Sequence, residues 1–170
     1  MNGTHAVRNG RFTAEAPEGT VVFLIGMRLN KLRKVRQWLT VFTAMPQMLA
    51  ELRGDPALGL LSTKAYLSGR TVLLVQYWQS AGHLDRFATG PGHSHLPAWR
   101  EFNRRIRASG DVGIFHETYV ADRFETIYGN MPGDFGLGGA TQMIPPGRRG
   151  QRAAHRLDPS VPDQPAVAPY

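Results

Sequence analysis

Three apolar, β-rich runs dominate the chain: Thr20 to Leu29 (TVVFLIGMRL), Leu58 to Leu67 (LGLLSTKAYL) and Arg70 to Trp78 (RTVLLVQYW). The second and third are separated only by Ser68 and Gly69, which is a hairpin signal. A fourth such run, VGIFHETYVA, begins at Val112, and FETIYGN from Phe124 reads as a further strand. Between the first two lies Gln37 to Arg53, with Trp38, Leu39, Phe42, Met45, Leu49 and Leu52 at near-helical spacing. Pro46 reads as a point dividing it into two helices.

Ser80 fits the N-cap of a short helix through Leu84 and Phe87. A second helix from about His93 to Ala108 aligns Leu96, Trp99, Phe102 and Ile106, and Gly110 suits its C-cap. The order strand, helix, strand, strand, helix, strand is the split βαβ pattern. The expected fold is therefore α+β and ferredoxin-like, an antiparallel sheet with helices on one face. Strands this apolar leave a second face that needs cover, which predicts a homodimer in the manner of a dimeric α+β barrel, or an enclosed ligand.

At 170 residues a single core is expected. Residues 1–19 show no periodicity and read as a flexible leader, 20–144 as the α+β barrel domain, and 145–170, rich in Pro and Arg, as a flexible tail. The chain has no cysteine, which excludes disulfides, thiolate nucleophiles and thiolate-ligated haem. No run reaches the roughly 18 apolar residues of a membrane span, and no signal core is seen, so a cytoplasmic protein is expected. The net charge of +7 raises nucleic acid as a partner. Yet Arg148, Arg149, Arg152 and Arg156 lie in the tail, a second group lies in Lys31 to Arg36, and no reading motif accompanies them. A small-molecule substrate is the expected partner, with neither nucleic acid nor membrane.

Of six histidines, His5 and His155 fall in the terminal segments and His83 reads as a solvated helix residue. In GPGHSHLPAWREF, His95 shares a helical face with Trp99, whereas His93 lies about 200° around the axis. His95 either caps and packs there or points inward as a ligand. Alternation in GIFHETYV puts Ile114, His116, Thr118 and Val120 on one face and Phe115, Glu117 and Tyr119 on the other. His116 is then a satisfied core histidine or a functional base in a pocket, where burial would favour its neutral form. Glu117 could pair with Arg104, Arg105 or Arg107. No nucleophile elbow surrounds a serine, and the glycines of MPGDFGLGGAT fit no phosphate-binding loop.

The stretch from Trp78 to Ala140 resembles the C-terminal half of the haem-dependent aldoxime dehydratases: HLPAW, FHET, FETIYGNMP and FGLGGAT occur in the family's order and with similar spacing. The chain is also similar to small monooxygenase-like α+β barrel proteins. The first resemblance implies haem b as cofactor, His95 as the proximal iron ligand and His116 as the distal acid/base. It implies lyase chemistry at an N–O bond, or haem oxygenation as an oxidoreductase. Leu24, Val72, Leu74, Ile114, Val120 and Ile127 are candidates to wall the porphyrin, together with Trp99, and Arg28, Arg100 or Arg104 to meet its propionates. The alternatives are a cofactor-free monooxygenase-like tailoring enzyme with Trp78, Trp99 and His116 lining the pocket, and a non-catalytic haem-binding dimeric module.

Overall fold

The computed structural model describes residues 6–90, 100, 104, 109–165 and 168. They fall into two compact units, Val21–Val120 and the combination of Met1–Thr20 with Ala121–Tyr170.

The central unit carries β2 (Val21–Leu29), α1 (Val35–Gly54), β3 (Leu60–Ser68), β4 (Thr71–Trp78), α2 (Ala81–Thr89) and β5 (Val112–Val120), while β1 (Arg11–Glu15) belongs to the other unit. The strands form one antiparallel sheet in the order β3-β4-β2-β5. This is the ferredoxin-like arrangement expected from the element order, with the outer positions taken by the second and last strands of the repeat. The β3–β4 hairpin turns through Gly69 at φ 54°, a conformation glycine adopts without strain.

Pairing registers Val21 with Trp78 and Val120, so these residues and their alternates share one face. Helices cover this face. Val21 and Trp78 are buried with Leu52 of α1 and Phe87 of α2, and Met48, Leu49, Leu84 and Phe23 pack around them. The Trp78 and Phe87 rings lie 5.7 Å apart. Contrary to the expected division at Pro46, α1 is continuous across it. Proline deletes one hydrogen bond, but Met48, Leu49 and Leu52 bury beyond it and hold the last turns against the sheet.

Ser80 caps α2 as expected, accepting from the His83 backbone N–H at 3.3 Å. His83 itself is half-buried, not solvated: its Nδ1 lies 2.9 Å from the Ser80 hydroxyl, and its ring fills the space beside Gly59, where a Cβ would meet it at 2.5 Å. Arg100 and Arg104 are helical; the rest of the helix expected over 93–108 lies outside the described residues.

The other unit contains β1 (Arg11–Glu15), β6 (Tyr128–Gly129), α3 (Gly136–Ala140), β7 (Gln142–Ile144) and α4 (Ala153–Leu157), with β1 central in a three-stranded antiparallel sheet. Part of the leader is a strand, and the tail carries a helix whose Arg156 is buried. Arg156 donates to Glu125 Oε2 at 2.6 and 3.1 Å and to the carbonyls of Gly150 and Gln151 at 3.0 and 2.8 Å. The strand expected over Phe124 to Asn130 shrinks to two residues, because the Thr126 hydroxyl takes the Ala14 N–H at 2.7 Å in place of a ladder carbonyl.

Candidate active site

The helix-side face of the central sheet brings the chemistry-bearing side chains into two adjacent rows. One row runs Ala65, Leu74, Ile25, His116 across β3, β4, β2 and β5; the next runs Thr63, Gln76, Phe23, Thr118. Cross-strand neighbours on one face stand about 5 Å apart, so each row is a contiguous strip. The Phe23 ring lies 5.8 Å from the His116 imidazole, tilted by 39°. His116 is exposed, on an edge strand, among apolar neighbours Ile25 and Ile114. An accessible imidazole beside an aromatic ring can exchange a proton with a molecule resting on that ring.

No Lys, Arg, Asp or Glu of β2 to β5 stands on this face. Arg28, Lys64 and Glu117 occupy the opposite register positions, pairing with Thr71, Val75 and Leu24. Polarity on the helix side comes instead from Thr63, Gln76, Thr118 and His116. Sequence reasoning passed over Gln76, which is 2 % exposed and accepts a hydrogen bond from the Trp78 indole N–H at 3.0 Å. Its signal was available: within VLLVQYW the period-2 alternation puts Gln76 with Leu74 and Trp78 on the buried face, where an uncharged amide is out of place without a partner.

The other expected site residues distribute unevenly. Ile114, Val72 and Leu74 share the face of His116. Val120 lies on it too but is 50 % exposed at the strand end. Leu24 faces the opposite side, because its register partner is Glu117 and not His116, so it does not wall this site; Ile127 belongs to the other unit. Arg28 also faces away and points its guanidinium to the Thr71 hydroxyl at 3.4 Å, which removes it as a group to meet an anion beside His116. Arg100 is exposed. His95 and Trp99 lie outside the described residues.

On the opposite face Glu117 accepts from the Tyr119 hydroxyl at 2.7 Å, so the carboxylate already has a partner on its own strand. That bond, and then the negative charge itself, push the Tyr119 phenol above its usual value of 10.0. Phe115 lies across Gly26, where a Cβ would come within 2.3 Å of the ring. Tyr66, Phe115 and Tyr119 are exposed on this face.

A haem requires an axial ligand and an apolar wall. Phe23, Ile25, Leu74 and Ile114 supply such a wall beside one imidazole, so the face fits the distal side of that group. Among the described residues no cluster of three or more His, Asp or Glu is placed to hold a bare metal ion. Nor is any helix among them long and apolar enough to cross a membrane.

The architecture is matched by an aldoxime dehydratase, OxdRE in complex with butyraldoxime, at a TM-score of 0.61 and 18% identity, over 81% of this chain and 44% of that one. A second aldoxime dehydratase gives a TM-score of 0.61 at 19% identity, over 81% of this chain and 42% of its own. At these identities the likeness shows the shared fold. In sequence the chain is 31% identical over 148 residues to "Monooxygenase af470" of Aspergillus fumigatus, covering 73% of this chain and 52% of that protein, so it spans about half the length of this curated relative. The pattern of the monooxygenase af470-like family matches residues 20–137, which includes every strand of the central sheet, and the chain belongs to that family.

Proposed function

We propose that this chain is an enzyme that acts on a small organic substrate lying on the helix-side face of the central sheet, with His116 as its acid/base. The observation that carries the reading is the accessible His116 imidazole 5.8 Å from the Phe23 ring, on a face that is otherwise apolar or uncharged. His116 would give a proton to, or take one from, a heteroatom of the substrate as its bond breaks. Phe23, Ile25 and Ile114 would hold the organic portion against the sheet and keep water from it.

The enzyme is proposed to be haem-dependent, with His95 as iron ligand, Ile114 and Trp99 against the macrocycle and Arg100 near a propionate. Bound haem would supply a Lewis-acidic iron with one open coordination position, suited to N–O bond chemistry or to oxygenation. A cofactor-free oxygenation of an electron-rich aromatic is the second reading, favoured by the match to a monooxygenase family over residues 20–137. In both, the opposite sheet face, with Tyr66, Phe115 and Tyr119 exposed, is proposed to close a homodimer, which sedimentation would test.

Haem titration followed by absorption separates the readings. A Soret band is expected that His95→Ala abolishes and His116→Ala retains, while His116→Ala lowers turnover of an aldoxime roughly 10²–10⁴-fold, the usual contribution of an acid/base group. No Soret band, combined with oxygen consumption in the haem-free protein, selects the cofactor-free reading. Full activity in His116→Ala removes the role assigned to that residue.

A further inference from the structure

Buried polar atoms in folded proteins nearly always have partners, and those that lack one call for a reason. The Thr63 hydroxyl is buried with no hydrogen-bond partner. Its register neighbour on β4 is Gln76, so the two side chains stand side by side on the helix-side face. The orientation of the Gln76 amide follows from its bond to Trp78. An indole N–H only donates, so the amide oxygen faces Trp78 and the NH₂ group is directed elsewhere with two N–H bonds to give. Among the described residues that NH₂ group meets no acceptor.

We propose that Gln76 Nε2 and Thr63 Oγ1 form a donor pair that receives the acceptor atom of a neutral substrate, a carbonyl, carboxamide or oxime oxygen. This rests on the reading that substrate lies on the helix-side face, and it names the chemistry that face selects. Three features define the class. Donors without acceptors on β3 and β4 call for an acceptor in the ligand. The absence of any charged residue among the strand positions of this face gives a carboxylate or an ammonium no counter-charge there, so the ligand is uncharged. Phe23 stands next to Gln76 in the same row and borders His116 in the next, so it offers the ligand's apolar part an aromatic surface between the donor pair and the imidazole.

The test uses butyramide and butyraldoxime as probes, titrated calorimetrically into the full chain with and without haem, with the side-chain amide of Gln76 followed by nitrogen-resolved NMR. Both probes should bind, and the Gln76 NH₂ resonances should shift on binding. Thr63→Val, which removes the orphan hydroxyl at nearly constant volume, should weaken binding about tenfold while melting no lower than the parent, and Thr63→Ser should restore affinity. Gln76→Leu should weaken binding by at least as much. Its folding is checked separately, because it also strands the Trp78 N–H. Probe affinity unchanged in Thr63→Val, or absence of binding to the parent chain in both forms, overturns the donor pair. The outcome is separable from that of the broader reading: His116→Ala should lose turnover yet still bind butyramide, and a missing Soret band leaves the Thr63→Val comparison intact.

Discussion

The two units of this chain are stabilised in different ways. In the central unit, β2 and β4 meet helices α1 and α2 through Val21, Trp78, Leu52 and Phe87, all at most 5 % exposed. Association there follows from removing apolar area from water. The other unit has a small sheet centred on a five-residue strand; it buries Ala14, Tyr128, Leu137, Met143 and Ile144 and adds to them a network of polar groups: Arg156 with Glu125, the Thr13 and Thr126 hydroxyls, and the Asp163 carboxylate on backbone N–H groups. Burial of apolar area tolerates variation in detail, provided volume is conserved. A buried guanidinium does not, since each of its N–H groups needs its own acceptor.

The largest effect that would break this comparison belongs to the apolar unit. Trp78→Ala should lower stability by about 4 kcal/mol, through lost transfer energy and the cavity left against Phe87. Trp38, Trp78 and Trp99 all lie in residues 21–120, so tryptophan fluorescence in the parent chain reports that unit alone. Arg156→Ala should remove about 3 kcal/mol, at the lower end for breaking a buried ion pair, because Glu125 keeps partial solvent access. Its signature is faster hydrogen exchange at Thr13 and Ala14, with the tryptophan-monitored urea midpoint unchanged. Coincident shifts in both readouts would show that the chain unfolds as one cooperative body and would dissolve the distinction.

The same contrast explains what could be read from the sequence. The central sheet was legible because its pairings are carried by period-2 apolar runs and a two-residue turn, both local signals. The face of His116 followed from the same alternation, and its pairing with Ile25 bears that out. Gln76 was overlooked because attention to titratable groups passes over a neutral amide, although its register position was plain. β1 was illegible: its partners Met143 and Tyr128 are more than a hundred residues away, and five residues carry too little periodicity to declare a strand. The burial of Arg156 was hidden for a related reason. An arginine in a Pro-rich segment has the composition of a solvated tail, and only Glu125, 31 residues away, together with the nearby carbonyls of Gly150 and Gln151 makes it otherwise.

The smallest expected effect is also the one that distinguishes the units by sign. Asp163 accepts from the Gln151 N–H at 2.7 and 2.9 Å and from the Arg152 N–H at 2.8 Å. These bonds, that from Arg152 foremost, hold its carboxyl below the ordinary 3.8, and the Ser160 hydroxyl does the same for Asp158. A carboxyl with a lowered folded value stabilises the fold fully above its unfolded value and loses that contribution as pH falls through the folded one. The Tyr119 phenol in the central unit is shifted the other way, so its contribution is present below 10.0 and disappears as pH rises through the raised value. Acid should therefore loosen the terminal unit first, seen as faster exchange at Gln151 and Arg152 below about pH 4. Asp163→Ala should abolish that acid response and leave the alkaline one. Tyr119→Phe should do the reverse, and an acid response that survives Asp163→Ala would assign it to other carboxyls.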